Sequence, residues 1–281
     1  EKKVPVNEWD DRFNWVQTLC VSPDGEKVAA IVNTDEMEFN ICVNGETWGE
    51  EPVEKAWALQ FTPAGRLVVL ASRDEEWGVG VDGEFWETWF DYAWNLQSTP
   101  DGSHVSVAVQ KDMEYGMAVN DKIWDNLYQN ISGMKLSPQG TTAAVVQVKP
   151  LGQADIEGYA SGIFAAALDG KTVSDIYMNV QDICFSPQGD TIACGIRNNK
   201  LDYSISGPNT PWQNKFQYTW APGFTGNGQS VIAPVRIGGK WHLYKDDSDF
   251  WGRPFEQLWN LEVHNLTGKI AAVVSQQFGK W

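Results

Sequence analysis

The feature that most constrains the fold of this chain is a turn that recurs along its whole length at nearly constant intervals. The turn ends in glycine, and in most copies Ser or Thr stands three residues before that glycine. The turn glycines are Gly25, Gly65, Gly102, Gly140, Gly189, Gly228 and Gly268. They are separated by 40, 37, 38, 49, 39 and 40 residues. A fixed period of this length indicates one supersecondary unit repeated along the chain.

Each repeat predicts four short strands. The run after the turn glycine, as at residues 28–32 or 270–274, is apolar without interruption and too short for a helix, which is typical of a strand buried on both faces. The next strand alternates, as in Phe39, Ile41 and Val43, and a second turn then leads to Trp48. We therefore predict an all-β fold in which residues 1–281 form a single domain. This domain is a seven-bladed β-propeller of four-stranded antiparallel blades.

The two ends of the sequence predict how such a ring closes. The last repeat stops soon after its second strand, while residues 4–9 match the second half of the repeat and stand ahead of the first full unit. We expect these N-terminal residues to supply the outer strands of the seventh blade and to pair in that blade with residues 270–275. Closure of this kind removes exposed sheet edges.

Together, the Ser/Thr-Pro-x-Gly turn and the apolar strand that follows it resemble the WD40-like and TolB-like propeller superfamily over the whole chain. The chain departs from WD40 repeats because it lacks both the Trp-Asp dipeptide in the expected register and the histidine between blades. Several units contain the motif Val-x-Val-(Asn/Asp)-Gly-Glu-x-Trp. These units are also similar to the propeller subunit of the transmembrane redox (Tmc) complex of sulfate-reducing bacteria. That resemblance implies a cytoplasmic accessory subunit with no redox centre or cofactor of its own.

Charge and composition exclude several partners. The chain has 37 acidic and 21 basic residues, a formal net charge of -16, and no stretch rich in Lys or Arg that could neutralise phosphates. We therefore expect a protein partner with a basic surface, and neither nucleic acid nor an anionic membrane. No apolar run approaches the length of a transmembrane helix, so direct membrane insertion is not expected. Because the sequence begins with Glu1 and not with Met, we expect a segment to have preceded it.

The candidate catalytic and metal motifs are weak. The four cysteines form no Cys-x-x-Cys pair and the three histidines fall at unrelated places in the repeat, so no metal site is predicted. Residues 169–172 and 246–249 faintly resemble a phosphate loop and a calcium loop, but both occupy the second turn of a repeat and are predicted to be hairpin turns. We predict a non-catalytic scaffold and no catalytic residues. A hydrolase or lyase with its site at the central channel is the alternative.

Most of the 15 Trp residues repeat in register, which predicts that they pack between blades. One register contains Trp57, Trp94 and Trp220, and the other contains Trp48, Trp86, Trp124, Trp212 and Trp251. Trp89 lies outside both registers. Together with Phe90 and Tyr92 it stands in a predicted connection between blades two and three, where exposure and binding are expected.

Strand order predicts a docking rim. In a four-stranded blade, the turn after the second strand and the connection after the fourth emerge on the same face. Acidic residues gather in these turns in blades one to three, and the long interval before Gly189 predicts a projecting loop over residues 148–162. The residues that we assign to the rim are Asp35, Glu36, Glu38, Asp74, Glu75, Glu76, Trp89, Phe90, Tyr92 and Tyr159.

Overall fold

The computed structural model describes residues 4–9, 11–49, 51–198, 202–208, 211–226, 228–264, 267–277 and 279. Their regular structure is almost entirely antiparallel β-strand, gathered in seven sheets, so the predicted all-β class is confirmed. The chain divides into two compact units, Glu1–Leu127 and Tyr128–Trp281. No helix in the described ranges is long and apolar enough to cross a membrane.

The first unit contains three sheets of four strands, each a meander in which consecutive strands are neighbours. Sheet 1 comprises β1 (Trp15–Val21), β2 (Val28–Asp35), β3 (Glu38–Val43) and β4 (Glu46–Thr47). Sheet 2 comprises β5 (Lys55–Phe61), β6 (Leu67–Arg73), β7 (Glu76–Val81) and β8 (Glu84–Phe85). Sheet 3 comprises β9 (Tyr92–Ser98), β10 (Val105–Lys111), β11 (Glu114–Val119) and β12 (Lys122–Ile123).

The second unit contains four sheets, which are less regular. Sheet 4 comprises β13 (Ile131–Leu136), β14 (Thr142–Gln147), β15 (Phe164–Leu168) and β16 (Lys171–Thr172). Sheet 5 comprises β17 (Asn179–Phe185), β18 (Ile192–Arg197) and β19 (Tyr203–Ser206). Sheet 6 comprises β20 (Tyr218–Thr219), β21 (Gly223–Phe224), β22 (Val231–Ile237), β23 (Lys240–Lys245) and β24 (Ser248–Asp249). Sheet 7 comprises β25 (Gln257–Val263) and β26 (Ile270–Ser275). Among the described residues, sheets 5 and 7 thus have fewer strands than predicted, and the first strand of sheet 6 is in two pieces.

Within each unit, neighbouring sheets stack face to face. The second strands of sheets 1 to 6 are buried along most of their length, as predicted, and they form the cores between sheets. The prediction was wrong for residues 270–274, because β26 pairs only with β25 among the described residues and leaves Ala271 and Val273 exposed. Leu70 of sheet 2 packs in one cluster with Val107 of sheet 3, and Ile31 of sheet 1 packs with Val69 of sheet 2. Clusters of the same kind join sheets 4 and 5, 5 and 6, and 6 and 7. Apolar burial between four-stranded meanders is the architecture of a propeller blade.

The first turn of each repeat contains a hydroxyl group for a structural reason. The side chain of Ser22 is buried, its Oγ accepts a hydrogen bond from the N–H of Lys27 at 2.9 Å, and it donates to Asp24 at 2.6 Å. Gly25 closes the turn at a φ of 74°, where a side chain would be strained. In the last repeat this turn includes Asn265 and Leu266, which lie outside the described residues.

The second turn contains Asn or Asp because its side chain caps the buried strand. The Oδ1 atom of Asn44 accepts a hydrogen bond at 2.9 Å from the N–H of Val28, the first residue of β2. Asp82, Asn120, Asp169 and Asp246 make the same bond to the first residues of β6, β10, β14 and β22. These five residues have φ between 43° and 52°, and each is followed by a second left-handed residue, which is the type I′ turn of a two-residue hairpin.

The N-terminal segment does not form the predicted outer strand. Residues Val6–Glu8 form a 3-10 helix, and the side chain of Trp9, 2% exposed, packs against Ala30, Val32 and Cys42 of sheet 1. The prediction was wrong because the match to the repeat ends at the turn. Glu8 stands where a type I′ turn needs a second left-handed residue, and a glutamate adopts that conformation poorly.

The insertion in the fourth repeat lies outside the strands, as predicted for residues 148–162. It connects β14 to β15 and contains one short helix, α1 (Ile156–Ser161), which the sequence analysis did not predict. The carboxylate of Asp155 caps α1 by accepting a hydrogen bond from the N–H of Gly158 at 2.7 Å. Leu151 is 41% exposed and Ile156 is 72% exposed, so the insertion presents apolar side chains to solvent.

Candidate functional site

The first unit presents three exposed acidic turns, one between the second and third strands of each sheet. Asp35, Glu36 and Glu38 lie at the turn of sheet 1, Asp74, Glu75 and Glu76 at that of sheet 2, and Asp112 and Glu114 at that of sheet 3. All of them are exposed. Glu50, the neighbour of Glu51 in the connection from sheet 1 to sheet 2, lies outside the described residues.

Two of these acidic turns have an exposed methionine at the tip, which the sequence analysis missed. Met37 is 65% exposed between Glu36 and Glu38, and Met113 is 77% exposed between Asp112 and Glu114. Both have positive φ, at 58° and 65°. The sulfur of Met113 accepts a hydrogen bond from the side-chain amide of Gln110 at 3.9 Å. Positive φ is uncommon for a residue with a side chain, and methionine is common on surfaces that adapt to a partner. A search for apolar residues flanked by acidic ones at the turn positions would have found both.

Behind the turns runs a row of aromatic rings, which we define as Trp57, Trp77, Tyr92, Trp94 and Tyr115. The ring of Trp57 packs edge to face against that of Trp77. The distance between ring centroids is 5.2 Å for Trp77 and Tyr92, 5.8 Å for Tyr92 and Trp94, and 6.2 Å for Trp94 and Tyr115. The row crosses sheets 2 and 3 without a break. Because Trp77 and Tyr115 each follow the glutamate that ends a turn, the row lies directly beside the acidic residues.

The aromatic row is partly open to solvent. Tyr92 is 44% exposed, and the other four side chains are half-buried. Half-buried rings that support one another keep their geometry without a partner, so an incoming surface would gain contact area at little cost in conformational entropy.

The predicted exposure of Phe90 was wrong. Phe90 is 1% exposed and pairs with Trp77 through reciprocal backbone hydrogen bonds of 2.7 and 3.0 Å. It therefore forms an isolated β-bridge to β7, beyond the end of β8, and fills the core between sheets 2 and 3. Val53, Tyr177, Phe216 and Phe255 occupy the same position in their sheets and are also buried.

Trp89 is half-buried in the irregular segment between β8 and the bridge at Phe90. Its ring covers Gly78, lies 5.5 Å from the ring of Phe85, and has the Arg73 guanidinium 5.5 Å from its centre. Arg73 in turn donates to a carboxylate oxygen of Glu51 at 2.8 Å. Trp89 is thus held on three sides, and only its remaining surface is available to a partner.

The remaining candidates lie elsewhere. Tyr159 is half-buried in α1 of the second unit. The hairpin assignments for residues 169–172 and 246–249 are confirmed, and the Asp247 carboxylate accepts hydrogen bonds from the N–H groups of Gln213 and Asn214. His104, His242 and His264 each bond to a nearby residue, and no group of three metal-ligating side chains occurs among the residues described.

Comparisons with known proteins give structural neighbours only. No family model matches the sequence, and no curated protein matches it. Among solved structures, the chain is similar to TolB from Acinetobacter baumannii, with 14% identity, a TM-score of 0.35, and 93% of this chain and 64% of that one covered. It is similar to the Dos1 propeller, with 10% identity, a TM-score of 0.38, and 84% and 68% covered. It is also similar to the β-propeller domain of the Trilobed protease from Pyrococcus furiosus, with 11% identity, a TM-score of 0.37, and 89% and 87% covered.

These neighbours leave the function open. The chain spans less than two thirds of the length of the TolB chain, and at such identities a shared activity does not follow from a shared fold. The narrower resemblance to the propeller subunit of redox complexes finds no support in the comparisons.

Proposed function

We propose that this protein is a non-catalytic scaffold that docks a basic protein partner on its first unit. In this proposal its seven sheets are the blades of one closed propeller, and the protein is a cytoplasmic accessory subunit of a membrane-associated electron-transfer complex. The observation on which the proposal rests is the placement of exposed Met37 and Met113, with the aromatic row behind them, among three acidic turns.

The surface combines the two properties that a protein interface needs. Eight exposed carboxylates in the three turns favour a basic partner and speed its diffusional approach. The methionines and Tyr92 supply apolar area that would be buried on contact, and aromatic and methionine side chains are enriched at interface cores. Arg73 already has Glu51 as its partner and stacks against Trp89, so it offsets little of the negative charge.

The first experiment isolates the protein from its source under mild detergent and then measures how charge affects its binding to the companion that is recovered. Replacing Asp74, Glu75 and Glu76 together with Lys should slow association and weaken its dependence on salt. The matched control replaces Glu46, Glu84 and Glu87 with Lys, which changes the charge equally at the other turns and should have a smaller effect. Equal effects of the two triple variants would contradict the proposed surface.

The second experiment tests the apolar part of the same surface. Tyr92→Ala and Met113→Ala should mainly speed dissociation, by about a factor of ten for each 1.4 kcal/mol lost. Leu19→Ala is the control, because Leu19 is 55% exposed on β1 of the same unit but is not part of the row. If no companion is recovered, or if the purified protein turns over substrates in a hydrolase panel, the scaffold proposal fails.

A further inference from the structure

The second unit contains a pocket at the first strands of sheets 5, 6 and 7. Its volume is about 580 Å³, which falls in the range of small-molecule sites. Its walls are aromatic and proline-rich, with Phe185 from β17, Trp220 and Pro222 from the break between β20 and β21, and Trp259 from β25. This pocket is distinct from the docking surface, which lies in the first unit.

Two prolines create the space. In sheets 4, 5 and 7 the first strand contains one residue with a left-handed backbone conformation and then continues. These residues are Gly133, Asp182 and Asn260. In sheet 6 the strand is instead interrupted at residues 220–222, opposite Pro234 of β22. Neither Pro222 nor Pro234 has an N–H to donate to the ladder. The N–H of Trp220 still donates to the carbonyl oxygen of Pro234 at 3.0 Å, and beyond that bond regular pairing resumes only where Gly223 pairs with Ile232.

The aromatic side chain at the mouth is fixed but accessible. Trp220 is 38% exposed, and its ring lies 4.7 Å from that of Trp241, so one side of the indole has a partner inside the protein. The corresponding residue of sheet 7 is Trp259, because Trp259 pairs with Val273 at the same register at which Trp57 pairs with Leu70. Two indoles, one from sheet 6 and one from sheet 7, therefore line one pocket, which suits a flat ring that stacks.

The chemistry of the walls selects against charge. Among the described residues that line the pocket there is no Asp, Glu, Lys, Arg or His. The one ionisable group is the thiol of Cys184, and burial raises its pKa to about 12, so it is neutral at physiological pH. An ion entering the pocket would lose hydration and gain no opposite charge.

One polar side chain is available to orient a ligand. Asn260 is exposed at the pocket and has a φ of 50°, and its side-chain amide makes no hydrogen bond to any described residue. A left-handed asparagine on a strand places a donor and an acceptor at the rim of an otherwise apolar site. A few polar groups among apolar walls are the usual composition of a ligand pocket.

We propose that this pocket binds a small uncharged aromatic molecule, which stacks on Trp220 and hydrogen-bonds through a polar edge group to Asn260. The proposal goes beyond the scaffold function and does not depend on it. A proline-rich peptide is the competing occupant, because aromatic and proline side chains also form the grooves that bind such peptides.

The test uses two fluorescent probes with the same ring system and different charge. N-phenyl-1-naphthylamine is neutral, and 8-anilinonaphthalene-1-sulfonate is its anionic relative. We expect the 281-residue chain to bind the neutral probe saturably at one site, and to bind the anionic probe at least about tenfold more weakly. Equal affinity for the two probes, or fluorescence that does not saturate, would overturn the proposal.

Two variants locate the bound probe. Trp220→Ala removes the stacking surface, and Ala221→Leu fills the mouth from an exposed position without touching the core. Each should raise the Kd of the neutral probe about tenfold. Trp15→Ala, at an indole that is 51% exposed in the first unit, should leave that Kd unchanged. Probe binding that survives both pocket variants, or displacement of the probe by decaproline, would contradict a small-molecule site.

Discussion

The ring of Trp89 occupies the space where a side chain on Gly78 would begin. A Cβ atom at residue 78 would lie 2.9 Å from three carbon atoms of the indole, a distance that real Cβ contacts do not reach. Gly78 is in β7 and Trp89 is in the irregular segment that follows β8, so the absence of a side chain on Gly78 leaves room for the indole ring of Trp89. The same relationship joins Trp48 of the sheet 1 connection to Gly80.

The first prediction follows from this contact. Gly78→Ala should lower the free energy of unfolding by about 1 to 3 kcal/mol, because the methyl group forces the indole out of its site. In a Trp89→Ala background the same substitution should cost much less, since the clash is gone. Urea unfolding of the two single variants and the double variant gives this coupling energy.

Gly152→Ala is the control for that experiment. A Cβ at residue 152 would have its nearest neighbour at 3.7 Å, an ordinary contact, so the unfolding free energy should hardly change. If the costs of Gly78→Ala and Trp89→Ala simply add, the proposed packing of Trp89 is incorrect.

The second prediction concerns the N-terminal segment. Trp9 is 2% exposed and fills the end of the sheet 1 core, so Trp9→Ala should lower the unfolding free energy by about 3 to 5 kcal/mol. Trp15→Ala, which removes a 51% exposed indole six residues later, should cost less than about 1.5 kcal/mol. Chemical denaturation measures both, and similar costs would mean that Trp9 does not have this role.

The third prediction is a loss of stability at alkaline pH. Burial raises the pKa of the Cys184 and Cys194 thiols from an ordinary 9.0 to about 12. Between these values the unfolded chain loses the thiol protons and the folded chain keeps them, which favours unfolding. The contribution of the thiols is therefore fully present below pH 9 and declines as the pH rises towards 12.

Cys194→Ala tests this prediction at the more buried thiol, which is 1% exposed. The free energy of unfolding should be measured by chemical denaturation under reducing conditions from about pH 8 to about pH 11. Its decline with pH should be shallower in the variant than in the parent, by up to about 1.4 kcal/mol per pH unit. The slope is the informative quantity, because the cavity left by the substitution costs the same at every pH. Parallel curves would show that the thiol ionises alike in both states.

The sequence predicted those parts of the fold that are set by local interactions. The hydroxyl of Ser22 and the amide of Asn44 each bond within one repeat, so their chemistry reappears at a fixed period and can be read without a structure. The acidic turns were predicted for the same reason, since their position depends only on strand order.

The errors arose where packing between sheets decides the outcome. Phe90 was assigned to an exposed connection, although its position carries a signal: Val53, Phe90, Phe216 and Phe255 each stand four residues before Trp57, Trp94, Trp220 and Trp259. The strand assigned to residues 4–9 failed because a six-residue match does not specify a partner. Sequence alone does not reveal whether Trp9 pairs in a sheet or fills a core.

The last prediction separates the two roles of the residue that begins the second turn. Asn120 has a φ of 45°, its Oδ1 accepts a hydrogen bond from the N–H of Val105, and its Nδ2 donates to the carbonyl oxygen of Ser103, both at 2.9 Å. Asn120→Asp keeps the acceptor and should cost least. Asn120→Gly tolerates the left-handed backbone but leaves the N–H of Val105 without its acceptor, a loss of about 1 to 3 kcal/mol where the group is buried. Asn120→Ala loses the hydrogen bonds and is strained as well, so its unfolding free energy should be the lowest, by about a further 1 kcal/mol. Thermal or urea unfolding of the three variants gives the order of their stabilities. Equal unfolding free energies for the Ala and Gly variants would show that backbone strain at residue 120 has no effect. An Asp variant as unstable as the Gly variant would show that the hydrogen bond to Val105 contributes nothing.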